Sequence, residues 1–147
     1  MRAIVQRVAE AQVSVEGTIV GRIGRGLLIF IAIHRDDSEG EAQKLRDKIL
    51  RLRIFADSDG KTNWDVLQTQ GSLLIVSQLT LYGDTSRGNR PSYSEAAPPE
   101  KARSLYELFV NLCRNECSNV QTGQFQAHMQ VQLVNDGPVT LLCQAES

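Results

Sequence analysis

Two apolar runs constrain this chain more than any other feature: Leu27-Leu28-Ile29-Phe30-Ile31-Ala32-Ile33, and the segment from Ser72 to Leu81. Both are far shorter than the roughly 18 to 20 apolar residues that span a bilayer. The length and branched residues of the first suit a strand buried on both faces, and Ser72 to Leu81 reads as a second strongly apolar strand.

Weaker patterns surround these runs. Ala3, Val5, Val13 and Val15 alternate over residues 2–8 and 11–15 with the period of half-buried strands, and Gly17 marks a turn. The chain is therefore predicted to open as a hairpin. Gly21, Gly24 and Gly26 lead into a strand, not from a strand into a helix, so they are not a dinucleotide-binding fingerprint. Ser38 followed by Glu41 reads as a capping box, and Leu45, Ile49 and Leu52 keep helical spacing through the basic segment Lys44 to Arg53, whose charges form a solvated face. Arg53 to Ala56 reads as a short strand before the turn Asp57-Ser58-Asp59-Gly60. Pro98 and Pro99 open a second helix with Ala102, Leu105, Leu108, Phe109 and Leu112 on one side. Gln126–Val134 and Val139–Gln144 read as two last strands, broken by Asn135-Asp136-Gly137-Pro138. Many strands and two main helices predict an α+β fold with antiparallel or mixed sheets. A length of 147 residues, 41% of them hydrophobic, suits one domain spanning residues 1–147.

Composition narrows the function. A net charge of −1 and a pI near 6.1 argue against coating nucleic acid by bulk electrostatics, although a few arginines can still grip one RNA end. The start, Met1 to Arg7, lacks an apolar signal block, which predicts a soluble protein that stays in the cytoplasm, with no membrane contact. The three cysteines, Cys113, Cys117 and Cys143, form no C-x-x-C pair and read as reduced, buried thiols, not as disulfides or zinc ligands. No metal or cofactor is expected.

Neither histidine, His34 or His128, sits in a triad-like context, and each reads as structural or superficial. No H-E-x-x-H, Walker loop or Gly-x-Ser-x-Gly elbow occurs. An enzyme built this way relies on positioning and hydrogen-bond donors. Three segments are candidates. Ser77-Gln78-Leu79-Thr80 ends an apolar strand in polar groups: it either caps the strand end or lines a pocket whose side chains and backbone N–H groups hold a developing negative charge. Thr80 has no base in sight, so its hydroxyl is expected to position and not to attack. Asn135-Asp136-Gly137-Pro138 is either an ordinary turn or, with a cis Gly-Pro bond, a rigid wall of fixed carbonyls suited to measuring stereochemistry. Arg87-Gly88-Asn89-Arg90-Pro91-Ser92-Tyr93 is either a solvated loop or a phosphate contact near an RNA terminus.

Taken with Arg2 to Val8, Ile23 to Leu28, Asn89 to Tyr93 and Thr122 to Phe125, these segments closely resemble the D-aminoacyl-tRNA deacylase family in register from end to end. The resemblance implies a barrel-like core and a homodimer in which Gly137-Pro138 of one copy enters the active site of the other. It implies hydrolysis of the ester of D-aminoacyl-tRNA, and of glycyl-tRNA, as proofreading in translation. Ser77, Gln78 and Thr80 form the catalytic pocket, with Leu79 at its edge. Phe125 lies against the 3′-terminal adenosine, Arg7 holds Gly137-Pro138 through carbonyls, and Arg87 and Arg90 contact tRNA. The substrate's own 2′-hydroxyl assists attack. Leu79 stands where the family often has Phe, and Gln126 where it often has Gly or Ala. Two alternatives are an editing deacylase for a small mischarged L-amino acid and a non-catalytic nucleic-acid-binding homologue.

Overall fold

The run at residues 27–33 is buried because core packs on both faces of its strand, Leu27, Ile29 and Ile31 in one cluster and Leu28 in the other. In the computed structural model, which describes residues 1–146, it forms β3 (Gly26–Ala32), set between β1 (Arg2–Val15) and β6 (Ser72–Ser77). β3 pairs antiparallel with β1 and parallel with β6. The parallel pairing needs a long crossover, which contains α1 (Glu39–Leu50) and a small hairpin of β4 (Phe55–Ala56) and β5 (Thr62–Trp64). A second crossover carries α2 (Pro99–Arg114) and returns to β7 (Val120–Thr122), parallel to β6. β2 (Thr18–Ile23) and β8 (Gln130–Gln144) both pair with β1, and β5 is a strand that sequence reading missed.

The fold is α+β, with a mixed sheet that curls into a nearly closed barrel. Gly21 on β2 marks the closure: a Cβ there would stand 2.5 Å from the Thr122 carbonyl oxygen on β7. Val8, Val13, Ile23, Leu28, Leu74 and Val76 fill one core cluster between these strands. A second cluster seals the other sheet face under the helices, where Leu45 and Ile49 of α1 meet Leu105 and Phe109 of α2. No helix among the described residues is long and apolar enough to cross a membrane.

Several sequence expectations change. Residues 2–8 and 11–15 are one strand of 14 residues, not two. The exposed break at Ala9-Glu10 is where β1 exchanges β3, last paired at Val8–Gly26, for β2, first paired at Ala11–Ile23. The turn expected at Gly17 joins β1 to β2 as a hairpin: at Glu16-Gly17 both φ angles are positive, 49° and 80°, as the twist of a two-residue β-turn requires. The last two strands are likewise one, and its start is Gln130, not Gln126. Between the Gln6–Thr140 and Val8–Asn135 pairs, Asp136 to Val139 bulge out opposite Arg7 alone. The buried stripe of α2 also turns away from the expected one: Leu105, Tyr106, Phe109, Val110 and Cys113 are buried, whereas Ala102, Leu108 and Leu112 are partly covered.

The α1 capping box forms as expected, with Glu41 accepting from both the Ser38 backbone and hydroxyl. All three cysteines are free and buried, and burial pushes the Cys113 thiol up to about 12. The amino group of Met1 is buried and donates to Asp37 (2.9 Å) and to the Ala145 carbonyl (2.9 Å), tying the two chain ends together.

Candidate active site

The second apolar run ends as a strand at Ser77, four residues before Leu81. β3 offers its last ladder acceptor at Ile31, whose carbonyl takes the Gln78 N–H at 2.8 Å. The chain then tightens into a 3-10 turn, Leu79–Tyr82, in which the Leu81 N–H returns to the Gln78 carbonyl and the Gly83 N–H to that of Thr80. No side chain caps the start of this turn, which leaves its leading N–H groups as donors without a side-chain acceptor. Tyr82 anchors the other end, buried between the Arg2 guanidinium, 4.6 Å from its ring centre, and the edge of His34. Its phenol is pushed well above the usual range by burial and by Asp37.

Ser77, Gln78, Leu79 and Thr80 thereby line one wall of a cleft of about 720 Å³. Facing them are Ala97 and Ala102, before and on α2, and the turn Phe125 to Met129. Among the described residues, no Asp, Glu, Lys or Arg lines this cleft. The Gln78 side-chain amide donates to the Thr80 hydroxyl, which among the described residues is that hydroxyl's one hydrogen bond. Nothing takes the Thr80 proton, and a threonine without a base is a poor nucleophile. Leu79 is 54% exposed and presents apolar surface at the mouth.

Phe125 joins this site through β7. The Ile75 carbonyl, in the middle of β6, accepts from the Gly123 N–H at 3.1 Å and from the buried Tyr106 hydroxyl at 2.8 Å, which fixes the chain just before Phe125. The Phe125 ring lies 5.8 Å from Tyr106, and the Arg103 guanidinium covers it at 4.7 Å. Gln126 follows at φ 63°, a conformation that glycine adopts freely and a side chain resists.

His128 also lines the cleft, exposed in the turn before β8. Sequence reading placed it inside a strand with a structural or superficial role. No local signal separates it from β8, because polar and apolar residues alternate without a break from Gln124 to Leu133 although the strand starts only at Gln130.

The remaining sequence candidates do not line this cleft. Gly137 and Pro138 form a cis peptide at the crest of the β8 bulge, both exposed. The bulge is tethered from inside: Arg7 Nε donates to the Asp136 carbonyl at 2.8 Å and Nη1 to that of Ile54, while Asn135 Oδ1 accepts from the Val139 N–H at 2.9 Å. Gly137 has φ 147°, and a Cβ there would meet Val139 and Arg7 at 3.0 Å or less. Arg87 and Arg90 are exposed on the loop closed by the Asp84–Ser92 bridge.

A family model described as D-Tyr-tRNA(Tyr) deacylase matches residues 4–144. The chain belongs to this family. Among relatives of this deacylase-family protein, a D-aminoacyl-tRNA deacylase of Thermosipho africanus is 57% identical over 142 residues, covering 97% of this chain and 95% of the relative. One of Escherichia coli O81 is 52% identical over 144 residues, covering 98% and 99%. A solved structure described as a c-Myc DNA unwinding element binding protein superposes with a TM-score of 0.95 at 37% identity, covering all of both chains. A second, described as a probable eukaryotic D-amino acid tRNA deacylase, superposes at 0.80 with 19% identity and 97% of both chains, a likeness of fold.

Proposed function

We propose that the protein is a hydrolase that cleaves the ester of D-aminoacyl-tRNA, releasing a D-amino acid and free tRNA. The observation that carries this reading is the cleft itself: a neutral pocket where a strand end presents Ser77, Gln78, Thr80 and uncapped N–H groups across from Phe125. With no lysine or arginine in its lining, it suits an ester carbonyl more than a phosphate or a carboxylate. The terminal adenine stacks on Phe125, and the N–H groups of the 3-10 turn stabilise negative charge growing on the ester oxygen. Water attacks the carbonyl carbon, the bond to the ribose oxygen breaks, and the proton given up by water ends on that oxygen, leaving a free ribose hydroxyl and the amino acid's carboxyl group. The 2′-hydroxyl of the same ribose assists attack, in keeping with a Thr80 hydroxyl that has no base. Ser77 and Gln78 orient the ester, and Arg87 and Arg90 meet phosphates further along the tRNA.

Chirality is gauged by a second copy of the chain. Gly137-Pro138 stands exposed and rigidly tethered, yet it lines no part of its own cleft, so its use requires a partner. β8 offers the surface for one: it pairs with β1 alone, and Val134 and Leu142 are 49% and 56% exposed along it. In the homodimer the partner's turn walls the pocket where an L side chain points, while a D side chain faces away and glycine has none to collide. On this reading the protein serves translational proofreading in the cytoplasm.

Incubation with D-tyrosyl-, L-tyrosyl- and glycyl-tRNA tests the reading. Loss of the D and glycyl esters with the L ester intact is expected; equal cleavage of D and L esters, or of none, refutes it. The likeness to the c-Myc DNA unwinding element binding protein favours one other reading, duplex DNA binding without turnover. Salt-sensitive binding to duplex DNA together with inert esters would establish that instead.

A further inference from the structure

A neutral cleft can hold an amino acid and an adenosine, but it offers nothing to the phosphates that join that adenosine to the rest of a tRNA. The chain of the substrate has to leave past Phe125 or at the opposite rim. Phe125 also lines a second groove, of about 440 Å³, between α2 and the segment Thr122 to Phe125. Arg103 and Arg114 stand at its two ends on one stripe of α2, eleven residues apart and therefore separated by about 16 Å along the helix. That is long enough to meet more than one phosphate of a single strand.

Both guanidinium groups have donors to spare. Arg103 makes one hydrogen bond, to Gln126 Oε1 at 3.5 Å, and Arg114 one, to the Val120 carbonyl at 3.5 Å. Neither forms an ion pair with a carboxylate among the described residues; even Glu107, one turn from Arg103 in the same groove, leaves it unpaired. Arg46, in contrast, is held by Asp47 and Glu116. A guanidinium offers five N–H donors in a fork that matches phosphate. Asn111 and Gln124 add neutral hydrogen-bonding groups along the same groove.

We infer that this α2 groove takes the single-stranded 3′ end of the tRNA just before the terminal adenosine, with Arg103 and Arg114 as its phosphate contacts. The inference rests on the deacylase reading and names where that substrate's backbone runs. Arg103 has a double position: its guanidinium faces Phe125 and so borders both the adenine platform and the groove, whereas Arg114 belongs to the groove alone.

The test compares D-tyrosyl-tRNA with D-tyrosyl-adenosine, which carries the ester and the adenosine but no phosphate. Wild type, Arg114→Gln and Arg103→Gln/Arg114→Gln are assayed on both, with Arg103→Lys as a variant that keeps the charge. The ratio of kcat/KM on tRNA to kcat/KM on the adenosine ester is expected to fall about tenfold in the double variant, to fall in part in Arg114→Gln, and to fall less in Arg103→Lys, which keeps the charge and loses the fork, than in the double variant. The slope of log affinity for tRNA against log salt should flatten by about 1.4 in the double variant, the yield of two single-strand phosphate contacts. An unchanged ratio and slope in the double variant, with the wild type active on both esters, overturns the groove and leaves the deacylase reading standing. A wild type inert on both esters overturns the two together.

Discussion

Removing one buried hydroxyl tests how the fold positions the site. Tyr106→Phe deletes the group that donates to the Ile75 carbonyl at 2.8 Å, in a residue only 5% exposed. That carbonyl keeps the Gly123 N–H at 3.1 Å, so the change removes a hydrogen bond without leaving a buried acceptor orphaned. The loss is therefore about 1 kcal/mol, the net worth of one such bond, and it should lower Tm by about 2–4 °C in a chain of this size. The contribution also depends on pH. Burial pushes the Tyr106 phenol up to about 12 from an ordinary 10.0. Between these values the unfolded chain gives up a proton that the native state keeps, so stability falls as pH rises. The wild-type advantage over Tyr106→Phe is thus constant through neutral pH and shrinks above about pH 10. Urea unfolding of both proteins at pH 7, 9 and 10.5 measures this. A loss above about 3 kcal/mol would mean that the hydroxyl supports a wider network; no loss at pH 7, or an advantage that grows with alkalinity, would refute the reasoning.

Further predictions follow from single contacts. Thr80→Ala removes a hydroxyl whose one partner is a donor amide, so kcat on D-tyrosyl-tRNA should fall no more than about tenfold, the equivalent of one hydrogen bond; complete loss with normal folding would make Thr80 the nucleophile. Arg7→Met strips the inner tether from Asp136 and Ile54 and should cost about 1.5–3 kcal/mol, and the preference for D over L esters should weaken in the same kinetic assay. The Ser38 hydroxyl, and after it the Ser38 backbone, holds the Glu41 carboxyl below its ordinary 4.5. A lowered carboxyl pKa gives stability present above the unfolded value and lost as pH falls through the folded one. Glu41→Gln should therefore flatten the fall of Tm below about pH 4.5, which a thermal scan from pH 5 to pH 3 follows.

The sequence exposes features that are local. The β3 and β6 strands announce themselves by apolar runs, and α1 by Ser38 and Glu41, because burial on two faces and end-capping each act over a few residues. Features set by a distant partner are hidden. Ala9-Glu10 looks like a break between strands because it is exposed, yet β1 runs through it while changing neighbours. Asn135-Asp136-Gly137-Pro138 has the composition of a hairpin turn, but long pairing on both sides makes it a bulge within one strand. The spacing of Ala102, Leu105, Leu108, Phe109 and Leu112 points to one stripe on α2, of which Leu105 and Phe109 are buried, and packing against α1 and the sheet turns the rest toward Tyr106, Val110 and Cys113.

The site divides in the same way. Ser77, Gln78 and Thr80 are adjacent in sequence and share the cleft, whereas Phe125 arrives there only through β7 and the Ile75 carbonyl. Gln126 departs from a small residue at a position with φ 63°, which explains in backbone terms why glycine is at ease there.

Complementation between two disabled variants tests most directly whether one copy's turn serves another copy's cleft. Gly137→Ala places a Cβ within 3.0 Å of Val139 and Arg7 at φ 147° and deforms the turn, while Thr80→Trp fills the cleft. Each is measured alone, and then after the two are unfolded and refolded together, for cleavage of D-tyrosyl-tRNA over L-tyrosyl-tRNA. In mixed dimers one of the two sites joins an intact cleft to an intact turn, so D-selective activity should return to about a quarter of wild type. Activity that stays at the sum of the two separate variants would contradict a shared site.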